Sequence, residues 1–159
     1  MIFAIDPGTT QSGWVLLNGG AVIDAGVADN HDLLRWVKAG NGADMLVIET
    51  MQATYGTVGH ETIRTMMWAG RFQQAWSDPE AVKLITRQAI KAAVCNGNAK
   101  ATDAGVRQAL IDILGKPGTK KVPGPMFGVA SHAWAALAAA VAAQRRADVP
   151  GVHVRVAAL

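Results

Sequence analysis

The alternation of apolar and polar residues divides the chain into elements before any single residue needs a role. Residues 2–5 form a short apolar run that stops at Asp6, and Pro7-Gly8-Thr9-Thr10 then turns the chain. Residues 13–17 read as a second strand, Gly19-Gly20 as a tight hairpin turn, and residues 21–27 as a third strand. Residues 31–38, with Leu33, Leu34 and Trp36, predict a short helix. Residues 44–49 (DMLVIE) hold an unbroken apolar run, the pattern of a central strand covered on both faces. Over 62–76, Ile63, Met66, Met67, Ala69, Phe72 and Trp76 recur at helical offsets, and Asp78-Pro79 ends the element. A brief strand at 82–85, a short helix at 87–94, a break at Asn96-Gly97-Asn98 and a longer helix at 103–114 follow. A loop rich in Gly, Pro and Lys spans 115–128, and 131–145 predicts the last helix. Neither an internal repeat nor a domain boundary is visible. The order of elements predicts one domain over 1–159, of the α/β class with a mixed sheet.

Composition narrows the class of protein. A chain of 159 residues that is 50% hydrophobic and 17% charged is long and apolar enough to bury a core. A formal charge of +3 and a pI near 9.3 permit nucleic-acid binding without requiring it. The single cysteine, Cys95, excludes an intramolecular disulfide and any Cys-rich zinc site. The opening MIFAIDPG has neither the basic segment nor the apolar run of a signal peptide. The longest apolar stretch, 133–143, is Ala-rich and too short to span a bilayer. A cytoplasmic protein is expected.

The chemistry is carried by acids at strand ends. Asp6 closes one apolar strand and Glu49 another. If those strands are neighbours in one sheet, both carboxylates emerge at the same edge, where they repel unless a cation lies between them. Hard divalent ions take oxygen ligands and keep waters, which leaves room for a phosphate. The plainer alternative is that each acid is a solvated loop residue.

Four segments together resemble one family. FAIDPGTTQSGW is similar to the first motif of the RuvC resolvases, within the ribonuclease H-like superfamily, and LVIETMQA to the second. ITRQAIKAAVCNGNAKATDAGVRQAL resembles the stretch after the short fifth strand, and PGPMFGVASHAWAALAAAV the closing helix. The match runs in one register over about residues 2–144, and the form of the last helix is nearest to the phage-borne branch. DPGTT alone is weak, since actin-like ATPases share a similar turn, but their two large domains do not fit in this length. The resemblance implies a ribonuclease H-like α/β fold with a mixed five-stranded sheet. It also implies metal-dependent hydrolysis of phosphodiesters in four-way DNA junctions, leaving 5′-phosphate and 3′-hydroxyl ends. Asp6, Glu49 and His132 fall on the ligand positions, for Mg²⁺ or Mn²⁺ and with two ions, and Lys91 and Lys100 are placed towards DNA. Paired incisions in a two-fold symmetric junction fit a C2 homodimer, for which Trp68, Arg71 and Trp76 are candidate contacts. If the chain is phage-encoded, it acts in the host cytoplasm.

One position departs from the family: the acid usual one helical turn after the third ligand is replaced by Ala135. Three readings stay open. Asp103 supplies a fourth acid, water fills the vacancy, or the chain binds junctions without cutting them. Asp103 has a simpler explanation in the helix dipole, and a lone His132 near a helix start has one as a hydrogen-bonded structural residue. Lys116, Lys120 and Lys121 in the Gly/Pro loop suit phosphate contacts or merely a solvated loop. Tyr55 suits stacking on an unpaired base or packing onto Met66 and Met67. The rival functions are a looser nuclease of flaps and forks, a silent junction-binding protein, and a fragment of an actin-like ATPase.

Overall fold

The computed structural model describes residues 1–51 and 58–147. Three strands open the chain: β1 (Ile2–Asp6), β2 (Gln11–Asn18) and β3 (Ala21–Asp29), each antiparallel to the one before. Helix α1 (Asn30–Ala39) leads to β4 (Met45–Thr50), which pairs parallel to β1, and α2 (His60–Ala75) leads to β5 (Lys83–Thr86), which pairs parallel to β4. The sheet order is β3-β2-β1-β4-β5, so the mixed five-stranded α/β sheet expected from the sequence is present. Helices α3 (Arg87–Val94), α4 (Asp103–Leu114) and α5 (Ala133–Ala147) complete the described chain.

The two faces of the sheet bury different cores. Phe3, Ile5, Leu46 and Ile48 pack with α1 and α2, among Leu33, Val37, Ala69 and Phe72. Ala4, Val15 and Val47 face the other way, onto α5 and its neighbours α3 and α4. Strand side chains alternate between faces, so Asp6, two residues after Ala4, and Glu49, two after Val47, fall on the α5 side. A one-residue slip of either strand would send its acid to the opposite face.

Helix α5 reaches the sheet closely because its buried face is built almost entirely of alanine: Ala133, Ala136, Ala138, Ala139, Ala140, Ala142 and Ala143, with Leu137 and Val141. Alanine is the best helix former and loses no rotamer freedom on burial. Arg145 Nη1 donates to the carbonyl of Ala93 at 3.0 Å, which satisfies the end of α3 and ties that helix to α5. No helix among the described residues is long and apolar enough to cross a membrane.

The turn after β1 is held by a buried polar group. Asn30 is fully buried; its Nδ2 donates to the Gly8 carbonyl at 3.0 Å, and its Oδ1 accepts from Ser12 Oγ at 2.6 Å. Ser12 Oγ in turn accepts from the Gly8 amide at 3.2 Å. The loop that follows Asp6 is therefore fixed to both β2 and α1. Asn30→Ala leaves the Ser12 hydroxyl proton and the Gly8 carbonyl without their partners, so urea denaturation should show a loss of about 1–3 kcal/mol. An unchanged midpoint and slope would mean the network contributes nothing.

Candidate active site

Asp6 and Glu49 end adjacent parallel strands. Their positions lie one step beyond the registered pair Ile5↔Ile48, so the two carboxylates stand side by side. Both are sunk in the protein, with 18% of the Asp6 side chain and 9% of the Glu49 side chain exposed. Burial, and then the neighbouring Glu49 charge, push the Asp6 carboxyl up to about 7, against the opposing pull of Arg87. Burial also raises Glu49, while the hydrogen bond and charge of Arg87 work the other way.

His132 comes to the same edge from α5. Ser131 adopts a left-handed conformation (φ 49°), and the chain then enters the helix with His132 72% exposed. Its Nδ1 lies 3.8 Å from Asp6 Oδ2. Gly13 makes this approach possible. It pairs with Asp6 across the sheet, and a Cβ there would fall 2.3 Å from the His132 carbonyl oxygen. The bare backbone of β2 is what lets the start of α5 settle against it.

Arg87 is a group that local sequence pattern does not single out. It opens α3 directly after β5, whose register sets Glu49 opposite Ile85. Its Nη1 donates to Glu49 Oε1 at 3.0 Å and its Nη2 to Asp103 Oδ1 at 2.9 Å. Lys91 Nζ lies 3.4 Å from the same Asp103 oxygen. Asp103 is 76% exposed and held ionised chiefly by the Arg87 charge. The cap of its helix is Thr102, whose hydroxyl accepts from the Gly105 amide at 3.1 Å, so Asp103 is a counter-ion to two cations and does not cap.

These residues line one cavity of about 640 Å³, with Asp6, Glu49, Arg87, Lys91, Asp103 and His132 on its polar side. Val106, Leu110, Trp134 and Ala138 form the apolar side, and Ala135 lines the cavity beside His132. Arg107 stacks over the Trp134 ring at 4.9 Å. Among the described residues, no three His, Cys, Asp or Glu side chains stand close enough to hold a metal ion by themselves. The donor chemistry nevertheless fits a hard divalent ion: two buried carboxylates, one pushed up to about 7 chiefly by burial, are oxygen ligands whose ionised form a cation favours.

The remaining positions are dispersed. Lys100 is exposed after α3, and Lys116, Lys120 and Lys121 are exposed around a turn closed by the Thr119 and Val122 backbones; none of the four lines the cavity. Tyr55 lies outside the described residues. Trp76 is 8% exposed and belongs to the core, which removes it from the candidate dimer contacts. Trp68 packs on Phe72 and His31, with Arg71 4.0 Å above its ring.

The Asp6 environment has a consequence for stability. In metal-free buffer the folded protein keeps this proton up to about pH 7, whereas the unfolded chain releases it near the ordinary value of 3.8. Between those values the folded state binds more protons, so this group lowers stability as the pH rises through the window. Asp6→Asn removes the cost. In urea titrations with a chelator, its stability gain over wild type should grow from about pH 4 and level off above about pH 7, at roughly 4 kcal/mol. A pH-independent difference would contradict the burial of this charge.

No protein-family model matches the chain, and no curated protein matches it in sequence. Solved structures do match in three dimensions, two of RuvC among them. One is RuvC of T. thermophilus in complex with a Holliday junction substrate. It is 20% identical, with a TM-score of 0.67 over 92% of this chain and 93% of that one. The other is a structure of Thermus thermophilus RuvC, also 20% identical, with a TM-score of 0.64 over 92% of this chain and 94% of that one. At nearly full length on both sides, the chain is similar to RuvC in its fold, the ribonuclease H-like arrangement.

Proposed function

We propose that this protein is a structure-selective endonuclease that hydrolyses phosphodiesters in four-way DNA junctions with the help of divalent metal. The observation that carries the reading is the pair of buried carboxylates, Asp6 and Glu49, side by side at the ends of β1 and β4. The fold shared with RuvC, and the junction bound in one of those structures, support the choice of substrate.

Asp6, Glu49 and His132 are the residues that would hold Mg²⁺ or Mn²⁺, proposed as two ions, with water and DNA supplying the rest of the ligands. Bound metal supplies Lewis-acid chemistry: a more acidic water and a stabilised leaving oxygen. The protein's own groups do the remainder. His132, exposed and 3.8 Å from Asp6, is placed to take the proton of the attacking water when it is not itself a ligand. Water oxygen joins phosphorus and the 3′-oxygen departs with a proton, giving a 3′-hydroxyl and a 5′-phosphate. Lys91 and Lys100, with Lys116, Lys120 and Lys121 on the neighbouring loop, are the cations offered to the backbone. Tyr55 is proposed to stack on an unpaired base at the junction centre.

Two symmetric cuts need two sites, and a C2 homodimer supplies them. The exposed side of α2 suits that contact. Ile63, Met66 and Met67 lie within little more than one turn, and Met67 is 63% exposed.

Asp103 reads less well as a fourth metal ligand, because its carboxylate is already engaged by Arg87 and Lys91. A silent junction-binding protein is the reading that Ala135 favours. Asp6→Asn separates the two, since it removes a charge and little volume. With Mg²⁺ present, wild type should cut a mobile four-way junction, and the variant should bind it equally in gel-shift assays but cut at least about a thousandfold more slowly. Equal cleavage by both proteins would refute the assignment of Asp6.

A further inference from the structure

Arg87 stands where a cation would have to approach Glu49. One guanidinium joins an acid on the cavity floor to an acid on its rim, through Nη1 to Glu49 at 3.0 Å and Nη2 to Asp103 at 2.9 Å. The two partners differ in setting: Glu49 is nearly buried, while Asp103 is largely in solvent. Lys91, one turn further along α3, shares the Asp103 oxygen. The charges therefore run in alternation, Glu49, Arg87, Asp103, Lys91.

A guanidinium and a divalent ion compete for one carboxylate, since both are drawn to it and each repels the other. Arg87 can yield at small cost. The guanidinium is a rigid fork with separate donors on each arm, so release of Glu49 leaves the Asp103 contact as a pivot. The side chain is about half exposed (48%), so its freed N–H groups turn into solvent or onto an anion and are not stranded in the core. Resting on the reading of this cavity as a metal site, we infer that Arg87 is a displaceable cation. It neutralises Glu49 while the site is empty, yields that carboxylate to the metal, and swings about Asp103 to contact the DNA phosphate. On this account Asp103 is a positioning residue for Arg87 and Lys91 and not a ligand. That explains an acid at the rim whose carboxylate is engaged by these two cations.

A displaceable Arg87 differs from an ordinary catalytic or structural arginine in one asymmetric respect. Removing the positive charge should strengthen metal binding and weaken cutting in the same variant. The test is Mn²⁺ binding to the DNA-free protein at about pH 8, where Asp6 is ionised, read by electron paramagnetic resonance of the free ion. Arg87→Gln should bind Mn²⁺ roughly tenfold more tightly than wild type, yet cut a junction at least about tenfold more slowly at saturating Mn²⁺. Arg87→Lys should recover part of both properties. Asp103→Asn should weaken Mn²⁺ binding in the wild-type background, where Arg87 loses its second anchor and stays on Glu49. In the Arg87→Gln background it should change binding little. Thermal melts of each variant verify that it is folded. Mn²⁺ affinity that is unchanged or lower in Arg87→Gln overturns the displacement. An equal loss from Asp103→Asn in both backgrounds makes Asp103 a ligand and overturns its positioning role. A wild-type protein that binds no Mn²⁺ at all overturns the metal-site reading itself, and this inference with it.

Discussion

The burial of two carboxylates at the ends of adjacent parallel strands is the constraint around which the rest of this protein is arranged. Carboxylates that close, and that far from water, repel each other and lose hydration; the Asp6 carboxyl responds by holding its proton up to about pH 7. Glu49 is relieved by a guanidinium instead, from a residue that can stand there only because β5 pairs with β4 and delivers α3 at the sheet edge. Stability alone does not account for such an arrangement, since apolar residues would fill the same space at lower cost. A place kept ready for positive charge does account for it.

The packing beneath the site serves the same end. The alanine face of α5 lets the helix lie close on the sheet, and Gly13, opposite Asp6, removes the side chain that would hold His132 away. Ser12 and Asn30 fix the loop that follows Asp6 from the other side. Asp6 is thus positioned by strand pairing, by helix packing and by a buried polar network. A carboxylate held in this way needs little reorganisation when charge develops beside it.

Much of this was legible in the sequence, for identifiable reasons. The apolar runs before Asp6 and Glu49 marked buried strands, and the period of two put both acids on one face once the strands were neighbours. The Ala-rich run marked a helix with few demands on space. Element ends were less legible. Helix α2 begins at His60, where Gly59 offers no side-chain cap, and β3 continues to Asp29, whose side chain then caps α1 by accepting from the His31 amide. Contacts between distant elements were least legible. Arg87 follows the fifth strand in sequence, but its grip on Glu49 depends on strand order. Nothing in local pattern distinguishes Asn30 as a buried residue from the many asparagines that begin helices. Trp76 follows the helical stripe of Phe72 into the core, and that periodicity is the better guide to it than its candidacy for a dimer contact.

The cavity that results has an acidic floor, a cationic rim of Arg87 and Lys91, and an apolar wall that includes Trp134. That combination suits a phosphate flanked by a nucleoside better than a small apolar ligand. The small Ala135 lines the cavity beside His132. The most direct test of the whole account is to map the products formed from a four-way junction of known sequence in the presence of Mg²⁺. Paired incisions placed symmetrically about the crossover, with 5′-phosphate ends that a ligase can reseal, are the predicted result. A junction that is bound tightly but remains intact in both Mg²⁺ and Mn²⁺ would contradict it.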